Sequence, residues 1–367
     1  MRTDLCDVFG IQYPIFAFTP SQHVAAAVTK AGGLGVLGAV RFNDAEELDE
    51  VLDWMDENTD GKPYGVDVVM PMKIPTEGTQ VDIDAMIPQG HKDFVQETLR
   101  KLGVPPLPEG EGRDAVLGWL HSIARSHVDV ALKHRPVLIA NALGSPPVDV
   151  IEQAHAAGVK VAALAGAAKH ALSHVNNGVD IIVAQGYEAG GHTGEIASMV
   201  LTPEIVDAVG PDVPVLGAGG IGTGRQVAAS LALGAQGVWT GSVWLTTEEY
   251  QNLNTNRGMT DAFLRASSSD TVRSRVYTGK PARLLKTKWT EAWAEEGAPA
   301  PLPMPLQNIL VSDAHNRMNA HGDPDVISMP VGQIVGTMNT VRPVAEVMAE
   351  LVSGFEDAVK RLGDIKG

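Results

Sequence analysis

The chain carries a single cysteine, Cys6, in 367 residues. That excludes an internal disulfide framework and a cysteine-rich metal centre, and it makes a reducing compartment, the cytoplasm, the expected location. Basic residues are also in deficit, 28 Lys and Arg against 44 Asp and Glu, for a formal charge of −16. Long-range attraction to nucleic acid or to anionic lipid headgroups is not expected of such a surface. Long apolar runs are missing as well. The longest, such as Ala31 to Val40, are too short to span a bilayer, and the opening MRTDLCDVFG has no charged segment leading into an apolar signal core. A soluble protein with no nucleic-acid or membrane partner is expected.

What is present is enough apolar content, 44% of residues, to bury a large core in one barrel with insertions or in two smaller domains. Short apolar runs recur at Pro14–Phe18, Leu34–Ala39, Tyr64–Met70, Val137–Ala142, Val159–Gly166, Ile181–Gly186, Val213–Gly220 and Gly237–Ser242. Each is followed by a glycine or polar turn and then a helix-like segment. Strands buried on both faces and alternating with helices indicate a parallel sheet, and this number of units favours a closed (β/α)₈ barrel of the TIM type. Helix starts are legible at Pro20-Ser21, Asn43-Asp44 and Pro146-Pro147, and Gly158 and Gly178 stand where helix C-caps belong.

Two stretches break the rhythm and read as helical insertions after strands three and eight. The barrel is expected over residues 1–245 with an insertion at about 71–135, a mainly helical substrate-side cap over 246–330, and a segment at 331–367 that closes on the barrel through an amphipathic helix at Arg342–Leu362.

The seventh strand runs into Gly217-Ala218-Gly219-Gly220-Ile221-Gly222, which formally satisfies the dinucleotide fingerprint G-x-G-x-x-G. A Rossmann site also needs an acidic residue about twenty positions on to hold the ribose, and the chain offers Trp239-Thr240-Gly241-Ser242 there instead. In a (β/α)₈ barrel, the turns after strands seven and eight converge on an anion site built from bare backbone N–H groups. Gly219, Gly220, Gly241 and Ser242 occupy those places. Glycine there permits positive φ and close approach to phosphate oxygens, and the Ser242 hydroxyl adds a donor. The plainer alternative is that these glycines only make tight turns.

The sixth strand ends in AQGYEAGGHTG, where Gly186, Gly190, Gly191 and Gly194 surround His192. A lone imidazole in a glycine-rich loop at the C-terminal end of a barrel strand reads as catalytic. His170 and His174 have the i, i+4 spacing of a metal pair, but Ala171 stands where a zinc protease has glutamate, so a partly solvated helix face and no metal are expected. Trp289 and Trp293 share a helix face and are expected to pack.

The segments AQGYEAGGHTG, PVLGAGGIGTGRQVAASLALGAQGV, WTGS and DTVRSRVYTGKPAR, with YPIFAF, AGGLGVLG, KPYGVD and PVGQIVG in the same order, resemble the nitronate monooxygenase family, formerly grouped as 2-nitropropane dioxygenases. The resemblance covers most of the chain. It implies FMN in the barrel mouth, His192 as the catalytic histidine, flavin contacts from Gln185 and Gly190, and a phosphate held by Gly220 and the run Trp239–Ser242. Three departures fall on the substrate side, one of them a segment between the third and fourth strands that is longer than the compact family pattern. Asp67 stands where the family has an asparagine near the flavin ring; a carboxylate only accepts and is charged, so Asp67→Asn is expected to raise the reduction potential. AFTP replaces a methionine-containing turn, so that Phe18 and Thr19 are expected beside the isoalloxazine.

The implied reaction is oxidation of an alkyl nitronate, or of a nitroalkane, by FMN and O₂ to a carbonyl compound and nitrite. The alternatives are an FMN-dependent, NAD(P)H-linked reductase of an enoyl thioester and a flavin-free barrel that binds a phosphorylated metabolite. The oligomeric state is left open.

Overall fold

Eight parallel strands close on themselves in the computed structural model, which describes residues 1–70, 86–108, 121–253 and 257–365. They are β1 (Ile15–Thr19), β2 (Leu34–Gly38), β3 (Gly65–Val68), β4 (Leu138–Asn141), β5 (Lys160–Ala165), β6 (Ile181–Gln185), β8 (Val215–Ala218) and β9 (Gly237–Thr240). β9 returns to β1 with Phe16 opposite Trp239 and Ala17 opposite Thr240. A two-residue strand, β7 (Gly191–His192), stands outside the barrel. All eight apolar runs are barrel strands, and the (β/α)₈ reading holds.

Alternation along the strands divides the core in two. Phe16, Leu34, Val36, Leu138, Ala140, Ile181, Val183 and Leu216 point into the barrel, while Leu37, Val66, Val68, Ile139, Val161 and Ile182 face the helices. The inner cluster is completed by α1 (Asp4–Phe9), whose Leu5, Cys6 and Phe9 pack on residues at the strands' N-terminal ends. Phe9 meets Phe16 edge to face at 5.3 Å. This six-residue helix escaped the sequence reading because it is too short to show a helical period.

Around the barrel, Ser21 caps α2 (Gln22–Lys30) by accepting from Val24 N, and Asp44 caps α3 (Ala45–Asn58) by accepting from Glu47 N at 2.8 Å. Gly158 and Gly178, with φ of 76° and 95°, follow α6 (Val148–Ala156) and α7 (Ala168–Asn176) as expected of C-cap glycines. The C-terminal helix α13 (Val344–Gly363) lies on α9 (Gly224–Ala232) and α2 and closes the ring.

The α13–α9 contact is close enough to exclude a side chain. A Cβ on Gly224 would lie 2.1 Å from Phe355 N and 2.5 Å from Leu351 O, both backbone atoms of α13. Gly224→Ala should therefore cost about 1–3 kcal/mol through overpacking. An unchanged thermal midpoint in that variant would show that α13 docks differently.

The first insertion, expected at about 71–135, lies partly outside the described residues. Its α4 (Gln89–Lys101) packs against elements of the second: β11 (Ala282–Leu285), which forms a hairpin with β10 (Thr271–Ser274), α11 (Lys288–Ala292) and α12 (Leu306–His321). Val95 and Leu99 share one apolar cluster with Leu284, Trp289, Val311 and Met318. Arg317 on α12 fastens the two by donating to Val104 O at 3.0 Å, Pro105 O at 2.9 Å and Gln96 Oε1 at 2.8 Å. Trp289 and Trp293 are both buried and meet edge to face at 5.9 Å. The β10–β11 hairpin is a feature that the expectation of a mainly helical segment did not contain.

Candidate active site

The loop after β6 is held from three sides. A Cβ on Gly186 would lie 2.5 Å from Ser198 N, one on Gly190 2.7 Å from Gly332 N, and one on Gly194 2.8 Å from Gly166 O. These glycines are thus required by backbone-to-backbone contact as well as by any ligand. The end of the loop becomes β7, which pairs antiparallel with β11 and sets His192 opposite Ala282. Two arginines of the hairpin lock it further. Arg283 donates to Tyr187 O at 3.0 and 3.1 Å and lies over the Tyr187 ring at 4.4 Å, while Arg273 donates to Thr193 O at 3.0 Å.

His192 is half-buried, with Nε2 2.7 Å from Thr278 Oγ1 and with no hydrogen-bond partner for Nδ1 among the described residues. Burial, with the nearby Lys280 charge, pushes the imidazole down to about 4, so it is neutral at neutral pH. The Lys280 ammonium is itself lowered by burial, and no ion pair holds it among the described residues. Sequence reasoning singled out neither Thr278 nor Lys280. Both lie in the DTVRSRVYTGKPAR segment, and only the pairing of β7 with β11 shows that they face His192.

Glu188, at the start of the same loop, accepts from Ser198 N at 3.2 Å and from the Ser198 hydroxyl, which anchors it to the first turn of α8 (Ser198–Val209). It is turned to backbone and hydroxyl donors.

The turns after β8 and β9 lie beside this loop. Gly219 and Gly220 take φ of 97° and 68°, a left-handed conformation that favours glycine. Gly241 differs from expectation: its φ is −138°, so it needs no positive φ, and a Cβ there would touch nothing nearer than Phe18 Cδ1 at 4.0 Å. Its absent side chain leaves open space instead. Gln226 Oε1 accepts from Gly222 N and Thr223 N at 2.9 Å in a capping box, so those two N–H groups are spent. The N–H groups of Gly219, Gly220 and Gly241 make no backbone hydrogen bond among the described residues. The Ser242 hydroxyl accepts from Gly332 N at 2.8 Å and keeps its own proton to donate.

The remaining candidates divide between the barrel mouth and its wall. Phe18 stacks on Trp239 at 6.3 Å and covers Gly38, and Gln185 ends β6 half-buried. Thr19 and Thr240 are buried with their hydroxyls engaged inside the wall. Thr19 Oγ1 accepts from Ser21 N; Thr240 Oγ1 donates to Phe16 O and accepts from Trp244 Nε1. Thr19 shares the helix-facing side of β1 with Ile15 and Ala17, so its side chain does not enter the mouth, and Thr240, its hydroxyl both donating and accepting, has only its backbone left for a ligand.

Asp67 projects inward from β3, between Gly38 of β2 and Ala140 of β4. It is 2% exposed, its Oδ2 has no partner, and burial alone raises its pKa well above the usual carboxylate range. The expectation of a charged, accept-only carboxylate is thereby overturned. Nothing charged stabilises the anion there, and burial works against the charged form.

Of the paired histidines, His170 is exposed, but His174 is 4% exposed, with Nδ1 2.7 Å from Ser145 Oγ and Nε2 3.1 Å from Leu164 O. The face is thus partly solvated, with His174 a buried tie. Among the described residues, Asp53, Asp56 and His134 could hold a metal. Both His134 nitrogens are already bonded there, to Asp49 at 2.9 Å and Asp56 at 2.8 Å.

A family model described as NMO, nitronate monooxygenase, matches residues 2–354. The chain belongs to this family. As a nitronate monooxygenase-type protein it is an oxidoreductase, and its relatives agree in length. It is 50% identical over 376 residues to "Putative monooxygenase Rv1533" of Mycobacterium tuberculosis, covering 99% of this chain and 98% of that one. Among solved structures, it is similar to nitroalkane oxidase from Streptomyces ansochromogenes, with a TM-score of 0.78, 25% identity, and coverage of 98% and 99%. FabK from Thermotoga maritima superposes with a TM-score of 0.74 at 25% identity over 100% of both chains. No helix among the described residues is long and apolar enough to cross a membrane.

Proposed function

We propose that this nitronate monooxygenase-family protein is a cytoplasmic, FMN-dependent enzyme that oxidises alkyl nitronates with O₂ to a carbonyl compound and nitrite. The observation that carries the reading is His192: a neutral imidazole whose Nδ1 is unengaged among the described residues, fixed at the barrel mouth beside the Lys280 ammonium, which no described residue pairs.

The mouth fits a flavin in two respects. It offers bare N–H groups at Gly219, Gly220 and Gly241 with the Ser242 hydroxyl for a phosphate, and an unpartnered buried acid, Asp67, for a polar ring edge. Gln185, the Gly190 backbone, Phe18 and the Trp239–Ser242 run would complete the cofactor's surroundings, with Thr19 and Thr240 contributing backbone only. When bound, FMN supplies the two-electron oxidation of the substrate carbon, which the protein cannot perform itself.

The chain's own residues handle charge and protons. With Nε2–H donating to Thr278, Nδ1 of His192 can take the acidic proton of a nitroalkane. The Lys280 ammonium supplies the positive charge that a nitronate's oxygens require, a task that a neutral His192 cannot perform.

A second reading, NAD(P)H-linked reduction of an enoyl thioester, is favoured by the likeness to FabK. Anaerobic mixing of the purified protein with propionate 3-nitronate, and separately with NADH and NADPH, decides between them. Rapid bleaching of the flavin band by the nitronate alone supports the oxidase reading; rapid bleaching by a nicotinamide cofactor, with none by the nitronate, transfers the assignment. Colourless protein that binds no FMN would return the flavin-free alternative.

A further inference from the structure

Asp67 is the one buried ionisable side chain on the inner face of the eight barrel strands; Lys160, in register with Leu138, is exposed and paired with Asp180 at 2.9 Å. Its strand neighbours leave it unanswered. Gly38 has no side chain, Ala140 is apolar, and the Phe18 ring covers Gly38 from the next strand along. Across the barrel, Leu164, Gln185, Ala218 and Trp239 bring no charge.

The charged and titratable groups of the surrounding elements lie elsewhere. Arg41, in the turn after β2, lies over the Phe42 ring at 4.0 Å and donates to Gln22 Oε1 at 3.0 Å. His127 of α5 (His121–Lys133) belongs to a helix that packs with Val66 and Val68, on the opposite face of β3. His192 and Lys280 stand above the mouth, and neither contributes to the shift at Asp67, whose only cause is burial. Asn141, next to Ala140, spends its amide on Met70 and Gly144 backbone groups.

A buried polar group with no partner in the protein is costly unless a ligand or water satisfies it. We propose that the Asp67 carboxyl keeps its proton in the folded protein and donates it as a hydrogen bond to an acceptor on the bound flavin ring. The inference rests on the FMN reading above. A protonated carboxyl offers one donor and one acceptor, as an asparagine amide does, so the position presents hydrogen-bonding capacity without charge. Unlike an amide, it can lose that donor. As the pH rises and the acid ionises, the donor disappears and a negative charge takes its place beside the ring. Flavin affinity is thereby coupled to pH through one residue.

Two measurements test this on the full-length protein. In the infrared difference spectrum of wild type against Asp67→Asn, a protonated carboxylic-acid band should be present without FMN and move to lower frequency when FMN binds. FMN titrations across pH should show wild-type affinity falling as pH rises, whereas Asp67→Asn stays level and Asp67→Leu, lacking the donor, binds about tenfold more weakly at neutral pH. Wild type that binds FMN equally at all pH values, or that shows no protonated-acid band, overturns the proposal and leaves the flavin reading standing. Wild type that binds no FMN at any pH overturns the flavin reading, and the hydrogen bond falls with it.

Discussion

Gly220→Asp is expected to give folded, colourless protein. Gly220 stands at φ 68°, and a Cβ there would lie 3.0 Å from Glu188 Cγ, the stem of a flexible side chain. The left-handed backbone costs a non-glycine residue roughly 1–2 kcal/mol, which a core of this size withstands. The larger effect is electrostatic. A new carboxylate would stand against that of Glu188 and in the space where the bare N–H groups of Gly219 and Gly220 favour an anion. A phosphate cannot share that space, so FMN should be absent after purification while the far-ultraviolet spectrum stays native. Gly220→Ala, with the same backbone strain and no charge, should retain some FMN and thereby separate the two effects. Stoichiometric FMN in the aspartate variant would rule out this placement of the phosphate.

The parts of the molecule legible in the sequence are those that the chain determines locally. A buried parallel strand writes its own apolar run, a cap residue such as Asp44 acts three positions away, and Gly158 and Gly178 mark helix ends through their own φ. What stayed hidden depends on remote partners. Nothing near His192 announces that Thr278 bonds to it across 86 positions, because that contact follows from β7 joining the cap sheet. The surroundings of Asp67 are set by Gly38 and Ala140, which belong to two other strands, so the sequence shows an aspartate and only the barrel shows that burial works against its charge. Thr19 and Thr240 look like pocket residues by position. Their hydroxyls are drawn inward by Ser21, Phe16 and Trp244, and no spacing rule reports that.

His192→Asn should reduce turnover of a neutral nitroalkane by at least ~10²-fold, the usual loss when a general base is removed. The preformed nitronate has no proton to give up and should suffer less. The structure narrows how the base works. Because burial and Lys280 hold the imidazole at about 4, it is in its basic form throughout the neutral range, and its control of the rate appears only in acid. Nitroalkane turnover that depends on His192 should rise with pH through about 4 and then level, and His192→Asn should lack that limb. Burial is the larger cause of the depression and the Lys280 charge the smaller, so Lys280→Met should move the acid limb to higher pH without abolishing it. The same variant should raise KM for the anionic nitronate, since it removes the Lys280 cation at the mouth. Equal losses of nitroalkane and nitronate turnover in His192→Asn would eliminate the base role. An acid limb unmoved by Lys280→Met would show that the ammonium does not face the imidazole.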